Sequence, residues 1–212
     1  MPRILLFGGS FDPIHHGHLI ISRFVAEHLA AERVLLIPAA KPPHKPGRDL
    51  TPGEHRLAMC GLAVEGEPLF DVSDWELTQP GPNYTLNTVR HFAATLPRGT
   101  ELFWLMGMDS LSELATWYHV SELVNACTIV TAARPGFEAG DLPDLARLLT
   151  HSQIERLRQH VIASPRIEIS ATDIRSRLRA GQSVRYLTPE PVVSYIARHG
   201  LYASAPIGSQ RG

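Results

Sequence analysis

Short apolar runs recur along the chain: residues 4–7 (ILLF), 34–39 (VLLIPA), 101–106 (ELFWLM) and 127–132 (CTIVTA). Each has the length of a buried strand. Between them, apolar side chains return at helical spacing. Leu19, Ile20, Phe24 and Leu29 mark one such face, and Leu86, Val89 and Phe92 another. Leu145, Leu148, Leu149, Ile154 and Leu157 mark a third within residues 144–162, where Ser152-Gln153 can interrupt it. Strand, helix, strand at this spacing reads as a βαβ unit, which needs parallel strands and a right-handed crossover. The pattern therefore predicts an α/β protein: a Rossmann-like open, mostly parallel sheet with helices on both faces and helical elements at the C-terminus.

Weaker alternation predicts short strands at residues 70–75 and 166–169. Capping signals place helix starts. Thr51-Pro52-Gly53-Glu54 has the form of a capping box with proline at the first helical position, and Thr85 reads as an N-cap before Leu86. Thr188-Pro189 is a third such start, for a helix running to His199 and stopped by Gly200. Arg179-Ala180-Gly181 closes the helix before it. His55 and Arg56 read as helix-face residues, and Arg147, Arg156 and Arg158 as a solvated face.

Composition narrows the class. A chain of 212 residues suits one domain, read here as residues 1–202, with 203–212 a frayed small-residue tail. Lys and Arg total 20 against 21 Asp and Glu, a net charge of −1, which argues against a broad nucleic-acid surface. Cys60 and Cys127 are isolated, form no CxxC, and read as buried thiols of a reducing compartment. No apolar run approaches membrane-spanning length, and the N-terminus enters a strand at once. The expectation is a soluble cytoplasmic protein that binds neither membrane nor nucleic acid.

Chemistry concentrates in two places. Gly8-Gly9-Ser10-Phe11-Asp12-Pro13-Ile14-His15-His16-Gly17-His18 joins the first strand to the first helix. Gly8 and Gly9 let backbone approach a ligand. The helix start near Gly17 offers unpaired N–H groups and a partial positive charge to phosphate. His15 and His18, three apart, share one face. A metal reading would use both histidines and Asp12, but no third ligand follows at familiar spacing. The second place is Ser170-Ala171-Thr172-Asp173-Ile174-Arg175, with two hydroxyls and an arginine on the opening turns of a helix. Capping alone would explain either hydroxyl; the arginine adds a bidentate partner for phosphate.

Other residues are open to two readings. Lys41-Pro42-Pro43-His44-Lys45-Pro46-Gly47-Arg48 is a proline-rich basic loop, solvated or phosphate-binding. Gly107 and Asp109 follow a strand's C-terminal end, where open parallel sheets hold ligands, though Asp109 also suits an N-cap. Trp117, from the sequence alone, reads first as core and second as a ligand wall.

The glycine turn with His15-His16-Gly17-His18 resembles the first motif of the HxGH nucleotidyltransferase superfamily, with Ser10 where a threonine is usual. Within it, the chain resembles the bacterial nicotinate-nucleotide adenylyltransferases over nearly its whole length. The Ile169-Ser170-Ala171-Thr172-Asp173-Ile174-Arg175 run matches that family's Ile-Ser-x-Thr-x-x-Arg element, and the Leu187-Thr188-Pro189 ending is similar too. The resemblance implies transfer of AMP from ATP to nicotinate mononucleotide, giving nicotinate adenine dinucleotide and pyrophosphate, with Mg²⁺ carried by ATP and no protein-held metal. It implies His15, His18 and Arg175 as catalytic. Gly8, Gly9, Ser10, Phe11, Gly17, His18, Gly107, Asp109, Arg134, Ser170, Thr172 and Arg175 would bind ATP. Lys41, His44, Lys45, Tyr84, Thr85, Trp117 and Tyr118 would bind the mononucleotide, Trp117 packing near the ring and amides near Thr85 and Tyr118 receiving its carboxylate. Asn83 stands where the family has serine. Sister readings are the same transfer to nicotinamide mononucleotide or phosphopantetheine, or a silent nucleotide sensor. A class I aminoacyl-tRNA synthetase would need a Lys-Met-Ser-Lys-Ser run and an anticodon domain, which this chain lacks.

Overall fold

Six parallel strands form one sheet among the described residues, which in this computed structural model are 1–40, 50–133 and 143–203. The strands are β1 (Arg3–Gly9), β2 (Arg33–Pro38), β3 (Phe70–Val72), β4 (Glu101–Gly107), β5 (Thr128–Ala133) and β6 (Val161–Ala163), in the order β3-β2-β1-β4-β5-β6. The helices are α1 (His16–His28), α2 (Gly53–Val64), α3 (Trp75–Thr78), α4 (Thr85–Thr95), α5 (Met108–Glu113), α6 (Val120–Ala126), α7 (Pro143–Ala146), α8 (His151–Gln159), α9 (Ala171–Arg179) and α10 (Glu190–Arg198). A 3-10 turn, Leu114–Thr116, follows α5.

Strand periodicity divides the core. Ile4, Leu6, Leu35, Ile37, Leu102, Trp104, Met106 and Ile129 face the layer built from α4 to α8. Their neighbours Leu5, Val34, Leu36, Phe103, Leu105 and Val130 face α1, α2 and α10. Successive side chains on a strand point to opposite faces, so strands covered on both sides must be apolar throughout. That is why the central runs lack polar alternation. The strand order reverses between β1 and β4, and a crevice opens there at the strands' C-terminal ends.

Several expectations are corrected. Residues 144–162 are not one helix: α7 ends at Ala146, α8 starts after Thr150, whose side chain caps it, and Val161–Ala163 pairs with β5 as the edge strand. Residues 166–169 form no strand; Ile167 and Ile169 turn into cavities instead. Trp75 opens α3 rather than ending a strand. Pro52, Tyr84, Gly107 and Pro189 occupy the N-cap positions expected of Thr51, Thr85, Asp109 and Thr188, and none makes a side-chain cap bond. Thr188 spends its hydroxyl on a longer-range bond, donating to the Ile14 carbonyl at 2.7 Å. Arg56, expected as a helix-face residue, points into the interior. It is 2% exposed, and burial pulls its guanidinium down from the usual range, against the pull of Asp12. It donates to the Thr51 carbonyl at 2.7 Å and to the Ser10 carbonyl at 2.8 Å. Arg156 is half-buried and donates to the Val124 carbonyl. Cys60 and Cys127 are buried free thiols.

Candidate active site

The glycine turn is held from three directions. Arg56 grips the Ser10 carbonyl from α2. Arg175 of α9 donates to the Asp12 carbonyl at 2.5 Å, and the Tyr202 hydroxyl donates to the Asp12 carboxylate at 2.6 Å. The His16 amide donates to the Leu187 carbonyl at 3.0 Å. Phe11 lies in the left-handed region (φ 45°), and its buried ring fills the space over Gly9, where a Cβ would come within 2.9 Å of it. Such strain persists only when the surroundings hold it in place. Trp104 does the equivalent at Gly8.

His15 is the N-cap of α1, and its ring stacks on His18 with centroids 3.6 Å apart. The ring of Phe11 meets that of His18 edge-on, with centroids 5.1 Å apart. The His15 amide donates to Nδ1 of His18 at 3.2 Å. That bond assigns Nδ1 as acceptor, so the neutral ring carries its proton on Nε2. Burial, then the neighbouring His16, lower the His15 pKa from its usual 6.5 to about 4. His15 is therefore neutral near pH 7, and its Nδ1 is buried without a hydrogen-bond partner among the described residues.

At the other end of the chain, the Ser170 hydroxyl caps α9 by accepting from the Asp173 amide at 3.0 Å, which leaves its own proton for an acceptor. Arg175 also reaches the Thr172 hydroxyl at 3.2 Å. These groups and the histidines line one cavity of about 600 Å³. Of the residues singled out in the sequence, Gly8, Gly9, Ser10, Phe11, His15, His18, Thr85, Gly107, Asp109, Trp117, Ser170, Thr172 and Arg175 all face it. Gly17 borders an adjoining apolar cavity of about 210 Å³ instead, with Phe7, Ile21, Ile167 and Ile169. The rings of Tyr84 and Tyr118 do not line either cavity; they stack on one another at 4.4 Å, beside Thr85 and Trp117. Lys41, His44, Lys45 and Arg134 lie outside the described residues, as do 204–212 and the expected loop before Pro143.

Sequence reasoning missed Trp104, Asn83 and Glu76 as lining residues. Trp104 was hidden in a core strand. Asn83 donates to the Glu76 carbonyl at 3.0 Å, and Glu76 carries no motif to mark it. Among the described residues no group of three His, Cys, Asp or Glu side chains could hold a metal ion.

The cytidylyltransferase-like family model matches residues 6–177, a span that takes in the strand-order reversal, the paired imidazoles and the hydroxyl-arginine cluster. A protein of Thermomicrobium roseum named a probable nicotinate-nucleotide adenylyltransferase is 44% identical over 95% of this chain and 92% of its own length. Its namesake in Thermus thermophilus is 42% identical over 94% and 99%. The chain belongs to the nicotinate-nucleotide adenylyltransferase family. The fold is shared with the nicotinic acid mononucleotide adenylyltransferase of Plasmodium falciparum, solved in complex with NaAD. The TM-score is 0.73 at 17% identity, covering 95% of this chain and 98% of that one.

Proposed function

We propose that this chain transfers the AMP moiety of ATP to nicotinate mononucleotide, forming nicotinate adenine dinucleotide and pyrophosphate in NAD biosynthesis. The observation that carries this reading is the single cavity lined both by His15 and His18 and by Ser170, Thr172 and Arg175. A triphosphate lying along it meets donors at both ends. The His18 Nε2–H and the N-terminus of α1 receive the α-phosphate, while the start of α9 and Arg175 receive the phosphates that leave. Gly8, Gly9, Ser10, Phe11, Gly17, Gly107, Asp109 and Arg134 complete the ATP site; the adjoining apolar cavity offers a surface for the base. Lys41, His44, Lys45, Tyr84, Thr85, Trp117 and Tyr118 serve the mononucleotide.

The attacking atom is a 5′-phosphate oxygen of the mononucleotide. Its monoester is largely dianionic near neutral pH, the second pKa being about 6, so no base need remove a proton. The new oxygen–phosphorus bond forms as the α–β bridge breaks, and pyrophosphate takes the bridging oxygen and its electrons. Rate then comes from alignment and from donors aimed at charge that grows in the transition state. Mg²⁺ enters as part of the ATP substrate, held by phosphates and water. No helix among the described residues is long and apolar enough to cross a membrane, and two free buried thiols suit the cytoplasm. Pyrophosphate release from ATP with nicotinate mononucleotide, nicotinamide mononucleotide or phosphopantetheine, measured side by side, tests the reading. Fastest turnover with the nicotinate acceptor is expected; preference for phosphopantetheine would overturn it.

A further inference from the structure

Glu76 has no role in the phosphate chemistry, yet it is 4% exposed and lines the cavity. It stands with Asn83, Thr85 and Trp117, and the Tyr84–Tyr118 stack brings the last two segments together. One carboxyl oxygen accepts from the Thr88 hydroxyl at 2.6 Å. The other has no hydrogen-bond partner among the described residues. The backbone carbonyl of Glu76 is occupied by Asn83, so the side chain is set between α3 and the first turn of α4. We propose that Glu76 is a specificity-determining residue for the acceptor, its carboxyl donating a hydrogen bond to the ring carboxylate of the mononucleotide and so favouring the acid over the amide. This rests on the function proposed above.

The surroundings keep that donor available. Burial raises the Glu76 pKa from its usual 4.5 to about 7, opposed by the Thr88 hydrogen bond. Among the described residues no cation pairs with it. Its own helix carries Asp74 at the N-cap, and α4 presents Thr88 and, stacked on Trp75, His91. β2, on which α3 packs, presents Arg33, Leu35 and Ile37 on this face, and Arg33 is paired with Asp71 of β3. The same cavity is also lined by Asp12, by Asp109 and Glu113 of α5, by the His15–His18 pair and by Arg175. Below the folded-state pKa the carboxyl is neutral and donates to an anion. Above it, a second negative charge faces the ring carboxylate, which is itself ionised throughout. A neutral carboxamide can accept from the neutral carboxyl and donate to the ionised one, so it is spared the charge repulsion and its binding changes far less.

The test is the ratio of kcat/KM for nicotinate over nicotinamide mononucleotide, measured across pH on the full chain and on Glu76→Gln. Where the amide turns over too slowly, its inhibition constant against the acid replaces its kcat/KM. Both acceptors carry the same phosphate, so its titration cancels. If only the neutral carboxyl accepts the acid, the wild-type ratio falls by about tenfold between about pH 6 and about pH 8. Glu76→Gln, which cannot ionise, holds the ratio flat. A residue that merely ties α3 to α4 would alter both acceptors alike. A flat wild-type ratio overturns the proposal without any variant, and an equal slope in Glu76→Gln does the same. Turnover of both mononucleotides with a flat ratio sinks the role of Glu76 alone; pyrophosphate from neither sinks the acceptor assignment and this role with it.

Discussion

Gly8→Ala separates two reasons for a glycine in the first motif. One is that a ligand must approach the backbone; the other is that another side chain already fills the space. At Gly8 a Cβ would sit 2.6 Å from Cη2 and 2.7 Å from Cζ2 of Trp104. That ring is 4% exposed and packed in the core beneath α4 to α8, so it has little room to yield. Overpacking of this kind costs about 1–3 kcal/mol. Gly8 is not among the residues with positive φ, so alanine adopts its backbone and recovers about 0.4–1 kcal/mol by stiffening the unfolded chain. The net loss is about 1–2 kcal/mol, a fall in Tm of roughly 2–8 °C for a domain of this size. Thermal unfolding by circular dichroism reads it directly. Gly107→Ala is the control: it also faces the cavity, but a Cβ there meets nothing within 4 Å. It should melt close to wild type, the alanine's entropic gain offset by its poorer fit at the N-cap of α5, while raising the KM for ATP. Gly8→Ala melting as high as wild type would refute the packing argument and return Gly8 to the ligand alone.

His18→Ala should lower kcat by roughly 10²–10³, the scale for losing one donor aimed at the transition state; near-normal turnover would remove His18 from that role. Arg175→Ala should raise the KM for ATP and lower kcat more than it weakens mononucleotide binding, and unchanged ATP kinetics would reject the leaving-group assignment. His15, neutral in the fold with a pKa of about 4, contributes stability that is present above its usual 6.5 and lost as pH falls through about 4. The loss attributable to it is at most about 3 kcal/mol. His15→Asn should therefore lose less Tm than wild type over that acid range, and parallel losses would contradict the burial argument.

What was readable in the sequence follows from what is local. The central strands were legible because burial on both faces demands unbroken apolar runs, and residues 34–39 and 101–106 have them. The edge was not. Val161–Ala163 is three residues long and directly follows an amphipathic helix, so its pairing with β5 has no separate periodic signal. Residues 166–169 do alternate, but Ile167 and Ile169 serve a cavity wall rather than a ladder. Both motifs were readable because each packs its turn and helix start within a dozen residues. Arg56, Glu76 and Tyr202 were not, because each acts through partners that only the fold supplies. Arg56 hydrogen-bonds a carbonyl 46 residues away, and Tyr202 reaches a carboxylate 190 residues away. In sequence, a buried arginine looks the same as a solvated one.

Those long-range bonds explain how one cavity can serve both motifs. A triphosphate can be gripped from two helix starts only if their separation is fixed before it arrives; otherwise part of the binding energy goes into ordering them. Besides Arg56, most of the fixing comes from the C-terminal region. Arg175, Leu187, Thr188 and Tyr202 all bond to the segment from Asp12 to His16, and they do so from successive parts of the C-terminal region. Arg175 takes part in both tasks, tying the turn through the Asp12 carbonyl while standing beside Thr172 on the cavity wall. A guanidinium suits this because its donors lie on separate nitrogens of one rigid plane, whereas an ammonium carries all three on a single nitrogen and reaches less far apart. The late arginine is thus part of the first motif's architecture as well as of its own, and the two motifs line one cavity although more than 150 residues of chain separate them.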